Sequence, residues 1–138
     1  GAVASAIAAK IAKTEQELHA SSSAAAKTVA ARLETARLAY LDVVDFVVKH
    51  TKSSPNAVFA GSVPYLLLAG RLVAGWQIGR SLLLADALLH KGQDSAFMQA
   101  KMVTAQFYAD HVLSAIPGMR DAIVAGAGSV NGLALDAF

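Results

Sequence analysis

Residues 57–90 read AVFAGSVPYLLLAGRLVAGWQIGRSLLLADALLH, and the way this stretch is read decides the fold. Leu66, Leu68, Leu72, Trp76, Leu82, Leu84 and Leu88, with their neighbours Leu67, Val73, Ile78, Leu83 and Leu89, surround the whole circumference of a helix drawn through it. A helix that is apolar all round is expected to be buried all round. Membrane insertion is the competing reading. Arg71, Arg80 and Asp86 interrupt the run, and Pro64, Gly61, Gly70, Gly75 and Gly79 lie inside it. No stretch of about 20 residues stays apolar and uncharged, so a membrane span is not expected. Gly75 and Gly79 have the small-xxx-small spacing that lets two helices approach closely. Trp76 beside them is predicted to be buried where helices cross. Gly92 ends the helix, and Gln93 or Asp94 starts the next.

The same helical period extends to both sides. Upstream, residues 24–52 place Val29, Leu33, Ala36, Tyr40, Val43, Val44 and Val47 on one face. Lys27, Glu34, Asp42, Asp45 and Lys49 fall opposite, with Asp45 and Lys49 in the favoured i,i+4 order. Lys52-Ser53-Ser54-Pro55-Asn56 ends this segment, because proline disfavours helix at the residue before it. Residues 2–19 form a first helix with a narrow stripe of Val3, Ile7, Ile11 and Leu18, and Thr14 between them. Ser21, Ser22 and Ser23 then break the chain and offer an N-cap. Downstream, residues 94–125 place Phe97, Ala100, Thr104, Phe107, Tyr108, His111 and Ala115 on one face. Pro117 and Gly118 kink or restart that helix near Met119. The tail, Ala127 to Phe138, reads as irregular and strapped down by Leu133, Leu135 and Phe138. No segment alternates like a strand. The prediction is an all-α, up-and-down bundle of about four helices, a single domain over residues 1–138 with a short irregular C-terminal tail.

Composition narrows the function. Hydrophobic residues are 55% of the chain and charged residues 16%, against about 25% charged in an ordinary domain. A domain this small needs polar residues to cover its surface, so part of the surface is expected to be covered by another domain, another copy or a lipid phase. The net charge of +2, without a basic stripe, gives no reason to expect nucleic acid. There is no cysteine, hence no disulfide or thiolate site. No basic stretch followed by an apolar core opens the chain, and a cytoplasmic location is the expectation. Gly1 and Ser5 have myristoylation spacing, but small residues at those positions are ordinary in an alanine-rich helix.

The residues that carry chemistry are few. A di-iron bundle needs glutamates on two helices and Glu-x-x-His on two more. Glu15, Glu17 and Glu34 are the only glutamates, and none has histidine three residues on. Glu15 and His19 could touch one metal ion together but lack a third ligand, so a surface pair is expected. His19, His50 and His90 close predicted helices, where they can bond the last carbonyls. His111 is expected in the core or at an interface. Gly126-Ala127-Gly128 ends a helix rather than cradling a phosphate, since no strand precedes it. No catalytic, cofactor-binding or metal-binding residue is assigned.

A family resemblance emerges from several motifs together. Val63-Pro64-Tyr65-Leu66 enters a helix that continues through Gly75-Trp76 to Arg80, and Ala105-Gln106-Phe107-Tyr108-Ala109 follows on the next. The chain closes on Gly126, Ser129-Val130 and Leu135-Asp136-Ala137-Phe138. These resemble the C-terminal helical domain of a bacterial acyl-CoA dehydrogenase subgroup, whose Ala-Arg-Phe-Tyr-Ala signature has Gln106 in place of its arginine here. The similarity is strong from about Pro55 onward and earlier lies only in helical pattern. It implies a bundle appended to a larger FAD-dependent enzyme that removes hydrogens from the α and β carbons of an acyl-CoA, some of them short or sulfur-containing. In that family the glutamate base and flavin-contacting motifs lie upstream, so the chain alone is expected to bind no cofactor. Its implied partners are the dehydrogenase body of the same polypeptide and further copies in a homo-oligomer. A stand-alone helical interaction module and a phasin-like granule coat remain as alternatives.

Overall fold

A computed structural model describes residues 1–138, and every long element in it is a helix. Helix α1 spans Ala2–Ala20, α2 Ala24–His50, α3 Pro55–Ala60, α4 Ser62–His90 and α5 Ser95–His111. A 3-10 turn, Leu113–Ala115, leads into α6, Ile116–Ala125, and the short α7, Ala127–Val130, follows. A last 3-10 turn covers Leu135–Ala137. Four helices are long, and the all-α bundle expected from the periodicity is present. α5 and α6 together form its fourth rod, with α6 carrying on past Pro117 in its first turn, where proline's missing N–H costs nothing.

Local chemistry sets the boundaries. The Ser23 hydroxyl caps α2 by accepting from the Ala26 N–H at 3.3 Å. Pro55 opens α3. The predicted helix over 57–90 divides at Gly61, whose missing Cβ leaves room for Ile123, 2.9 Å from where that atom would stand. Gly92, at φ +70°, stops α4, and Asp94 precedes α5 in the left-handed region at φ +46° without capping it through its side chain.

The bundle is organised around α2, which packs against α1, α4, α5 and α6. Its buried stripe, Ala26, Val29, Ala30, Leu33, Ala36, Ala39, Tyr40, Val43 and Val44, contains the predicted residues except Val47, which is half-buried, with alanines added. The all-round burial expected of the leucine-rich helix does not occur. α4 buries only Leu68, Leu72, Gly75, Gly79, Leu82 and Ala85, while Leu66 stays 75% exposed and Leu84 62% exposed. The physical reason is that the alanine stripe lets α2 sit closest to the other rods, which leaves α4 at the periphery with one face inward. α4 alone is long and apolar enough to cross a membrane by length and composition; here its inward face is packed in the bundle.

Gly75 and Gly79 do mark close approaches. A Cβ on Gly75 would stand 2.6 Å from Leu113 Cδ2, and one on Gly79 would stand 3.2 Å from Leu18 Cδ1. Other expectations are corrected. α1 buries Ala8, Ile11, Thr14, Glu15 and Leu18, leaving Val3 exposed. The tail is not strapped down: Leu135 is 94% and Phe138 91% exposed.

Candidate docking face

The polar groups that reach the interior are used to tie helices together. Arg37 on α2 donates through Nε to Glu15 Oε1 on α1 at 2.8 Å, with both side chains largely buried. This hydrogen bond raises the Arg37 guanidinium above its ordinary pKa. Glu15 is therefore an internal ion-pair partner rather than half of a surface pair with His19, which instead lies 3.8 Å from Glu34. Trp76 is half-buried, not enclosed. Its indole N–H donates to Thr14 Oγ1 at 2.8 Å, pinning α4 to α1, and the Arg80 guanidinium lies 5.7 Å from its ring centroid. His50 and His90 bond the carbonyls of Phe46 and Asp86 through Nδ1, at 2.9 and 2.8 Å. Lys49 and Asp45 form the predicted pair at 2.7 Å.

α5 is rotated relative to the sequence-based expectation. Met102, Ala105, Ala109 and, beyond the helix, Leu113 pack on the core, and Phe97, Phe107 and His111 face outward. His111 is thus an exposed side chain resting against the Phe107 ring, 4.4 Å between centroids. The large rings suggested an inward face, but small alanines sit where α5 meets its neighbours most closely.

Turning those rings outward creates the distinctive surface of the domain. Along α4, Val63, Leu67, Gly70, Ala74, Gln77, Ser81 and Leu84 follow one stripe at helical spacing. α5 runs beside it. A shallow groove of about 570 Å³ lies at one end of the seam, lined by Val63, Leu66, Leu67, Gly70, Arg71 and Tyr108. A smaller one of about 190 Å³ lies at the other end, where Leu84 and Leu88 face Phe97, Met98 and Lys101. The Tyr108 hydroxyl donates to the Arg71 carbonyl at 3.0 Å, and burial raises its pKa. The Arg71 side chain has no carboxylate partner; its Nη1 donates to the Met119 thioether at 3.3 Å. Gln106, the residue that departs from the resembled signature, is half-buried on α5.

This surface suits packing better than chemistry. No three His, Asp or Glu side chains gather where they could hold a metal ion. A flavin dinucleotide does not fit the larger groove either. Its one charged lining group is Arg71, the Tyr108 hydroxyl is already committed, and the other lining side chains are aliphatic or absent. Sequence reasoning found the excess of apolar surface but not its place, nor the free guanidinium within it. The signal was present as Arg71 inside a leucine run with no acidic residue three or four positions away.

The helical bundle, with its motifs on α4 and α5, belongs to the family described as acetyl-CoA dehydrogenase C-terminal like, whose profile matches residues 5–134. The match includes α1 and α2, where the sequence had offered only helical pattern. A 3-methylmercaptopropionyl-CoA dehydrogenase from Ruegeria pomeroyi (strain ATCC 700808 / DSM 15171 / DSS-3) is 47% identical over 103 residues. That alignment covers 75% of this chain but 17% of the relative, so the chain spans less than a fifth of the relative's length.

Proposed function

We propose that this chain is the C-terminal helical domain of an FAD-dependent acyl-CoA dehydrogenase, and that it supports the enzyme's assembly or the mouth of its substrate site without performing the chemistry. The observation that carries the proposal is the pairing of a family match over nearly the whole chain with a surface built for packing rather than catalysis. Its three glutamates are placed as Glu15 on Arg37, Glu34 near His19, and Glu17 on the outside of α1. Flavin, catalytic base and acyl-CoA belong on this reading to the remainder of the polypeptide, which works as a homo-oligomer in the cytoplasm. The name of the relative makes a short, sulfur-containing acyl-CoA the first substrate to try.

The test compares the 138-residue chain with the complete polypeptide. Calorimetric titration of FAD and a short acyl-CoA into the chain should give no binding, and a dye-reduction assay no turnover. The complete polypeptide should carry flavin and reduce the dye. Stoichiometric flavin binding by the chain alone, or a complete polypeptide without flavin, overturns the proposal.

A further inference from the structure

The α4–α5 seam combines three features. It is apolar at both ends, where Leu66, Leu67, Leu84 and Phe97 are each at least half exposed, with Gln77 and Ser81 between them. Its grooves contain no carboxylate: Arg71, Lys101 and Arg80 are the charged groups that line them. Arg71, half-buried between apolar walls, presents a guanidinium whose one side-chain acceptor in the fold is a thioether. Guanidinium offers five N–H donors in a fork suited to a carboxylate, and sulfur is a weak acceptor. A half-desolvated arginine left so poorly matched has room for a stronger partner than the fold supplies.

We infer that the α4–α5 seam is the face on which this domain docks onto the dehydrogenase body of its own polypeptide, with Arg71 receiving a carboxylate from that body. The inference rests on the domain reading proposed above. Two observations select the occupant. About five-sixths of the relative lies outside the matched stretch, so a large body in the same polypeptide is available to cover the face. Charge then disfavours a second copy. Two-fold pairing sets this patch against the same patch of the other copy, so Arg71, Arg80 and Lys101 would face a surface whose grooves hold the same cations and no carboxylate. Of the acids on or beside these two helices, Asp86 is engaged by Ser21 at 2.9 Å and Asp110 by Arg32 at 3.5 Å, while Asp94, at the start of α5, lines neither groove. The complementary surface is therefore apolar opposite the two grooves and acidic opposite Arg71.

The experiment uses the complete polypeptide and reads side-chain exposure by hydroxyl-radical labelling. Val3, Leu38 and Val48 are exposed away from the seam and serve as internal controls. Leu66, Leu67 and Phe97 should label several-fold more slowly than these controls after correction for intrinsic reactivity. Arg71→Glu should return them to the control rate while circular dichroism stays native. In a separate Arg71→Lys variant, a zero-length amine–carboxyl cross-linker should join residue 71 to an Asp or Glu outside the domain, within one chain by mixed isotope labelling.

Seam labelling equal to the controls overturns the inference. So does a cross-link to a second copy, or protection that appears only when vesicles containing anionic lipid are added. Flavin content and dye reduction of the same sample separate the two readings: an active flavoprotein with an open seam refutes the docking face alone, whereas a sample without flavin refutes the domain reading.

Discussion

Three glycines on α4 turn the packing of this helix into a graded test. Each Gly→Ala change removes the same backbone-entropy penalty, worth about 1 kcal/mol in a helix interior. What differs is the space each new methyl enters. At Gly70 nothing lies within 4 Å, so Gly70→Ala should stabilise by about 0.5–1 kcal/mol. At Gly79 the methyl would meet Leu18 Cδ1 at 3.2 Å, with Val29 and Leu33 atoms at 3.7 and 3.9 Å. A shift of a few tenths of an ångström suffices, and the helix gain should roughly cancel the crowding. At Gly75 the methyl would stand 2.6, 3.0 and 3.2 Å from Cδ2, Cδ1 and Cγ of Leu113. Leu113 is 1% exposed and held by the core, so it cannot swing aside. Overpacking costs about 1–3 kcal/mol, which leaves Gly75→Ala a net loss of up to about 2 kcal/mol after the helix gain. Urea denaturation of the 138-residue chain, followed by far-ultraviolet circular dichroism, reads the series directly. The midpoint should be highest for Gly70→Ala, lower and nearly equal for the wild type and Gly79→Ala, and lowest for Gly75→Ala, at constant m-value. A Gly75→Ala protein as stable as Gly70→Ala would refute the claim that the α4 glycines set the approach to Leu113.

Further outcomes follow from the polar ties between helices. Glu15→Ala should cost about 3 kcal/mol in a urea melt, because Arg37 is left largely buried without its partner. Thr14→Val should cost about 1–2 kcal/mol by removing the acceptor of the Trp76 indole N–H, and a tryptophan-monitored melt unchanged from wild type would contradict the α1–α4 tie. Burial raises the pKa of Tyr40 and Tyr108 above the ordinary 10.0, so the folded state holds those protons more tightly than the unfolded one. Their contribution to stability is fully present below pH 10 and is lost as pH climbs through the raised values; phenolate absorbance should appear at higher pH in the native than in the urea-unfolded chain.

How far the sequence revealed this structure depended on residue size. α2 was legible because valines, a leucine and a tyrosine mark its buried face, with charges opposite. Gly75 and Gly79 were legible as a close crossing because few other reasons place glycines four apart inside a leucine-rich helix. α5 was misassigned because Phe97 and Phe107 carry more apolar area than Ala105 and Ala109, yet the alanines take the inner positions where helices come closest. α4 was misjudged for a related reason. Hydrophobicity on all sides was read as burial on all sides, whereas the bundle's own packing covers one face of α4. Glu15 looked like a surface group because Arg37, its partner, is 22 residues away on another helix. The seam and Arg71 were beyond a one-dimensional reading, since they depend on which faces of α4 and α5 remain outward after the core is filled.

The central position of α2 also shapes how the chain can acquire its structure. α1 and α2 are joined by three residues, Ser21–Ser23, and pack on one another, so this hairpin can close as soon as both have been made. The other contacts of α2 are with α3, α4, α5, α6 and the 3-10 turn before α6, all of which come later in the chain. During vectorial synthesis, Tyr40, which stacks on Tyr65 of α4, therefore lacks that cover until α4 arrives, and α6 comes last. The hairpin is an early, locally encoded unit, while the remainder waits on distant segments and must overcome their loop-closure entropy. A nascent chain halted before Ile116 would carry an incompletely covered α2, the kind of surface that holdase chaperones bind and that drives aggregation when left unattended.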